Sequence, residues 1–157
     1  MLLDPPLQTP AAVLLRQASE ERTAPPFETL DAAIEHQLAN GGLWHTPRGL
    51  LEEEMAEHLV AGEDGRFHPR HSRDAAADAM EALAGEPQDD LDQVACPTLL
   101  VRARHSELIS DDDVERASGE LQQCSAREVP GGHMVLWDSL AETGAFVREF
   151  LLAGTRV

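Results

Sequence analysis

Apolar residues recur along most of this chain at helical spacing, interrupted by short runs of continuous apolar character. Leu2-Leu3 predicts a short strand that begins with the first residues, as though the preceding part of a domain had been removed. Pro5 and Pro6 stop it, because a proline ring carries no N–H for a ladder. Ala11 to Arg22 is weakly periodic and is broken by Pro25-Pro26. Three helical patterns follow. Leu30, Ile34 and Leu38 recur every fourth residue and stop at Gly41-Gly42. Thr46 as N-cap and Pro47 at the first helical position open the next, with Leu51, Met55 and Leu59 on one face and Gly62 at its end. Glu63 to Arg66 reads as a turn. Ser72 caps the third, with Ala76, Met80 and Leu83 inward and Gly85 as its stop. Glu86 to Asp92 is an acidic linker.

The pattern then changes. Thr98 to Arg102 is a compact apolar run, suited to a strand buried on both faces. Ser110 caps a helix whose first turn holds Asp111, Asp112 and Asp113, where the macrodipole favours negative charge. Val114, Ala117 and Leu121 form its inner stripe. Ala126 to Val129 is a further strand. Asp138 caps a last helix with Leu140, Val147, Phe150 and Leu151 as its apolar positions. The order is strand, helical block, strand, helix, strand, helix. Strands joined through a helix lie parallel.

Length and charge narrow the function. The 157 residues suffice for one domain with a core. Acidic residues number 29 against 12 basic ones, all of them Arg, for a net charge of −17. Such a surface repels phosphate backbones and anionic lipid, which excludes nucleic acid and membrane surfaces as partners. No apolar run is long enough for a membrane span, and the start has no signal-peptide pattern, so the chain is expected in the cytoplasm. Cys96 and Cys124 have no metal spacing and are expected reduced, as buried packing residues. Alanine supplies much of the 42% apolar content, and aromatics only 4%, which predicts a thin core and marginal stability.

Two loops carry the candidate chemistry. In open parallel sheets, reactive groups collect at the carboxyl ends of strands. Val129-Pro130-Gly131-Gly132-His133-Met134-Val135 places a histidine after one strand, with two glycines to turn the chain. Arg104-His105-Ser106-Glu107 places a carboxylate after another. If the strands are neighbours, Glu107 accepts one ring N–H of His133 and leaves the other nitrogen free as a base. The alternatives are a solvent-exposed loop histidine and a solvated carboxylate. His68 and His71 have no third ligand beside them, so no metal is expected.

These residues resemble a known family. Asp4-Pro5-Pro6-Leu7, Pro97-Thr98-Leu99-Leu100-Val101-Arg102, Arg104-His105-Ser106-Glu107-Leu108-Ile109-Ser110 and the histidine loop are similar to the C-terminal half of an α/β-hydrolase. There the sixth strand precedes a helical cap, the seventh delivers the acid and the eighth the histidine. The resemblance implies an α/β class, with a partial α/β-hydrolase fold: a small parallel sheet of about three strands and a helical cap insertion. It divides the chain into a first core strand over 1–10, a cap over 11–92 and a C-terminal core over 93–157. It implies His133 and Glu107 as catalytic residues; no cofactor is expected. The family often has Asp where Ser106 or Glu107 stands. The chemistry implied is hydrolysis of an ester, or of a carbon–carbon bond beside a ketone, on a small-molecule substrate held by the cap.

One departure dominates. The sequence contains no Gly-x-Ser-x-Gly nucleophile elbow and no oxyanion-hole loop before it. The expectation is a truncated hydrolase-type protein that is inactive alone and self-associates through an exposed sheet edge. The alternatives are a non-catalytic module that binds an apolar ligand or a partner, and a mixed domain with no triad.

Overall fold

The structure, a computed structural model, describes residues 1–7, 9–40, 43–85, 91–106 and 108–154. In chain order its elements are β1 (Leu2–Leu3), α1 (Ala11–Thr23), α2 (Leu30–Asn40), α3 (Arg48–His58), β2 (Leu59–Ala61), β3 (Phe67–Pro69), α4 (Arg73–Ala84), β4 (Thr98–Ala103), α5 (Asp111–Glu120), β5 (Cys124–Val129), α6 (Val135–Asp138) and α7 (Leu140–Gly154). The chain forms two compact units, one of Met1–Gln8 with Asp89–Val157 and one of Thr9–Gln88. Among the described residues, no helix is long and apolar enough to cross a membrane.

The first unit is a parallel sheet of order β1-β4-β5. Its central strand explains its sequence. Successive side chains of β4 point to opposite faces. Leu99, Val101 and Ala103 meet Val129, Val135 and the α7 residues Phe146, Val147 and Phe150 on one face. Leu100 meets Leu7, Ile109, Ala117 and Leu121 on the other. Both faces are therefore covered, so the strand reads as a continuous apolar run rather than an alternation. Leu100, Val101 and Ala103 are fully buried, and each large side chain so placed contributes about 1.5–3 kcal/mol.

The caps follow the same logic. Ser110 closes a capping box at the start of α5: its hydroxyl oxygen accepts from the Asp113 N–H, and the Asp113 carboxylate accepts from the Ser110 N–H. This satisfies two donors that a helix start leaves unpaired. At α7 the first ladder bond runs from Thr143 N–H to Ser139 C=O. Asp138 ends α6 and faces the histidine loop.

The second unit packs α1 on α4 through Leu14, Ala18 and Ala77. Arg22 ties these helices by reaching Asp78 at 2.7 Å and Glu81 at 2.9 Å. Arg48 joins α3 to α2 through Glu35 and Asp31. Leu51, Met55 and Leu59 are buried. Here the sequence reading needs correction. The three-residue strands β2 and β3 form an antiparallel hairpin that periodicity does not reveal. Gly65, at φ +75°, makes its turn. The cap of α3 falls on Pro47, whose carbonyl accepts from Leu50 and Leu51, because Pro47 keeps an extended ψ of 130°. Ala77, not Leu83, is the buried residue of α4, and Leu140 and Leu151 on α7 are exposed. Cys96 is exposed and Cys124 half-buried.

Candidate active site

Three strand tips converge at the carboxyl edge of the sheet. β4 and β5 run in register from Thr98 opposite Cys124 to Ala103 opposite Val129, so they end side by side. Their loops are stitched together, with Arg104 N–H donating to Val129 C=O at 2.9 Å and His105 N–H to Gly131 C=O at 3.1 Å. On the other side of β4, Leu3 pairs with Val101, and Asp4 N–H donates to the Val101 carbonyl at 2.7 Å. This puts Asp4, Ser106 and His133 together.

Asp4 is fully buried, and its carboxylate accepts from three donors. Ala103 N–H reaches Oδ1 at 2.8 Å. The Ser106 hydroxyl reaches Oδ2 at 2.5 Å. The same oxygen lies 2.9 Å from His133 Nδ1. An ionised carboxylate only accepts, so Nδ1 carries the proton in this contact and the neutral ring leaves a lone pair on Nε2. Burial excludes water from Asp4, while the His133 side chain remains 42% exposed. The arrangement is an imidazole ring oriented from behind by a buried carboxylate.

The backbone supports this at a local cost. Asp4 has φ 47°, the one positive value among the described non-glycine residues. It precedes Pro5, whose ring disfavours helical backbone in the residue before it. Asp and Asn tolerate the left-handed region better than other side chains, yet such a residue costs about 1–3 kcal/mol. Strained residues of this kind cluster at functional sites.

The histidine loop is anchored on the end of α6 and the residue that follows it. Asp138 Oδ2 accepts from Gly132 N–H at 2.7 Å, and the Ser139 hydroxyl donates to the Pro130 carbonyl at 2.5 Å. Gly131 has φ +98°, and a Cβ there would sit 2.5 Å from the Asp138 Cβ. Glycine is required on both counts: the backbone is left-handed and the neighbour is too close.

His133 thus stands against a carboxylate, but the carboxylate is Asp4. Glu107 lies outside the described residues. Sequence reasoning missed Asp4, although one signal was available: an acid directly after an apolar pair, at the carboxyl end of a strand. The two prolines that follow give a strand stop as the stronger local signal. Among the described residues, no group of three or more His, Cys, Asp or Glu is placed to hold a metal ion.

Neither a protein-family model nor a curated protein matches the sequence. Solved structures do match. The chain is similar to E-2-(acetamidomethylene)succinate hydrolase with a TM-score of 0.74 and 21% identity, over 92% of this chain and 55% of that one. It is similar to an α/β hydrolase from Novosphingobium aromaticivorans with a TM-score of 0.68 and 20% identity, over 95% and 54%. It is similar to an esterase from Mycobacterium tuberculosis with a TM-score of 0.62 and 17% identity, over 92% and 52%. The fold is that of the C-terminal half of an α/β-hydrolase, and the chain spans about half the length of the solved structures it matches.

Proposed function

We propose that this chain carries the base and the acid of a serine-hydrolase triad, with His133 as the general base and Asp4 as the carboxylate that orients it. The reaction class is hydrolysis of an ester or a related acyl bond. The observation that carries this reading is the 2.9 Å contact between His133 Nδ1 and the buried Asp4 Oδ2. Nε2 would take the proton of an attacking hydroxyl and return it to the leaving group, while Asp4 stabilises the imidazolium between those steps.

The hydroxyl is the component these residues do not provide. No serine here lies in a Gly-x-Ser-x-Gly frame. A base without a nucleophile and an oxyanion hole lacks most of the catalytic effect, since one oxyanion donor alone is worth roughly a factor of 10²–10³ in rate. The 157-residue chain is therefore inactive by itself, and the triad is completed by a segment that brings the elbow to the His133 ring.

Two measurements test the reading. The chain is assayed on a p-nitrophenyl ester beside His133→Ala, and the two are expected to match. Turnover that vanishes in His133→Ala would show that a nucleophile is already present. Nitrogen-15 spectra of the imidazole are expected to show His133 as a single Nδ1–H tautomer, and Asp4→Asn is expected to abolish that preference. An unchanged tautomer in Asp4→Asn removes Asp4 from the role.

A further inference from the structure

We propose that Ser106 is a positioning residue for the Asp4–His133 pair: its hydroxyl holds the Asp4 carboxylate in the rotation that faces Nδ1. This rests on the reading of Asp4 as the acid.

A carboxylate held at one oxygen can still pivot. Ala103 N–H holds only Oδ1 of Asp4. The Ser106 hydroxyl holds Oδ2, the oxygen that meets His133. Ala103 and Ser106 together hold both oxygens independently of the ring, so the carboxylate plane is set before His133 meets it. The ring needs this help, because 42% of the His133 side chain is exposed and packing alone does not set its angle.

The direction of the hydroxyl proton is determined. Leu108 N–H donates to Ser106 Oγ at 3.1 Å, so that contact uses the oxygen as acceptor. The hydroxyl is the donor to the Asp4 carboxylate, so its proton points at Oδ2. The result is a directed chain from the Leu108 N–H through the Ser106 hydroxyl to Asp4 Oδ2, which His133 Nδ1–H meets from the other side. Such chains polarise along their length. Ser106 is itself held, its N–H donating to Ala103 C=O at 3.2 Å within the turn that ends β4.

A plain loop role is the competing account, since a serine oxygen accepting from the N–H two residues on is a common turn device. Replacing Ser106 by Thr or by Val separates the two. The side chains share a shape and differ in the hydroxyl. The readouts are the His133 tautomer and the solvent exchange of its ring proton in the full chain, with the urea midpoint recorded separately. Ser106→Thr is expected to keep the single Nδ1–H tautomer. Ser106→Val is expected to lose it, with exchange at least about tenfold faster, as befits the loss of a hydrogen bond to a charged group. Where the valine variant does not fold, Ser106→Ala carries the same comparison with Thr. Equal protection with and without the hydroxyl overturns the proposal, and so does loss in both. Asp4→Asn distinguishes the two failures. If it abolishes the tautomer while Ser106→Val retains it, only the role of Ser106 falls. If it leaves the tautomer intact, the Asp4 reading falls first.

Discussion

Asp4 and His133 lie 129 residues apart in sequence and 2.9 Å apart in space. Parallel pairing makes this contact. β1 and β5 flank β4 on opposite sides, and all three strands end at the same edge. Asp4 directly follows β1 and His133 lies one short loop beyond β5, so the register of β4 with both neighbours decides their separation. A slip of one residue in either pairing would point every side chain of that strand to the other face.

The backbone of Asp4 offers a direct test. Asp4→Ala and Asp4→Gly both remove the carboxylate and leave the Ala103 N–H without its acceptor. Only Ala keeps a Cβ at φ 47°. Urea unfolding is expected to find both less stable than the parent by about 2–3 kcal/mol. Ala should be worse than Gly by about 1 kcal/mol, the left-handed penalty of a Cβ. Asp4→Asn should lose least, since its amide oxygen still accepts from Ala103. Equal losses for Ala and Gly would mean that the backbone relaxes and stores no strain.

Two glycines predict opposite signs. At Gly131 a Cβ meets the Asp138 Cβ at 2.5 Å in left-handed backbone. Gly131→Ala is expected to cost about 2–4 kcal/mol and to disturb the His133 loop. Gly49 lies in the first turn of α3 with nothing within 4 Å of an added Cβ. Gly49→Ala is expected to stabilise by about 0.4–1 kcal/mol through helix propensity and the unfolded chain. Thermal or urea midpoints of the two variants moving in the same direction would contradict this contrast.

Much of this was legible from residue order. β4 stands out because both of its faces are covered, which forces apolar residues at consecutive positions. α5 stands out because Ser110 and Asp113 form a capping box that any sequence window contains whole. The helices of the second unit were legible in position but not in facing. α4 holds Ala75, Ala76 and Ala77 in succession, and such small residues give little contrast between its sides, so helical spacing points the exposed Leu83 inward. β2 and β3 are three residues each, shorter than any period can show. The histidine was legible because its loop is local: Pro130, Gly131, Gly132 and His133 carry the turn and the imidazole together. Asp4 was not, because its place beside His133 depends on pairing with a strand about a hundred residues away.

The core makes a quantitative contrast. Leu100 is fully buried in the central strand, against Ile109 and Leu121. Leu100→Ala is expected to cost about 2–5 kcal/mol, from lost transfer energy and the cavity left behind. Leu140, first residue of α7, is 66% exposed, and Leu140→Ala should change stability by no more than about 0.5 kcal/mol. Chemical denaturation of both variants checks this. A comparable loss at Leu140 would show that another surface covers α7 in solution.

The capping box predicts an acid-dependent share of stability. Burial alone pushes the Asp113 carboxyl up, but the Ser110 hydroxyl and N–H, with Arg116 beside them, reverse that and hold it below the ordinary range. A carboxyl held low in the folded chain favours folding when ionised. Its contribution is full above the unfolded pKa of about 3.9 and is lost as pH falls through the lower folded value. Asp113→Asn is therefore expected to cost about 0.5–1 kcal/mol near neutral pH, the worth of a charged partner at a helix start. That difference should shrink once the pH falls below about 4, because the parent carboxyl then takes up its proton as well. Urea titrations of parent and variant across that range measure it. A difference that stays constant with pH would assign the effect of Asp113 to shape rather than charge.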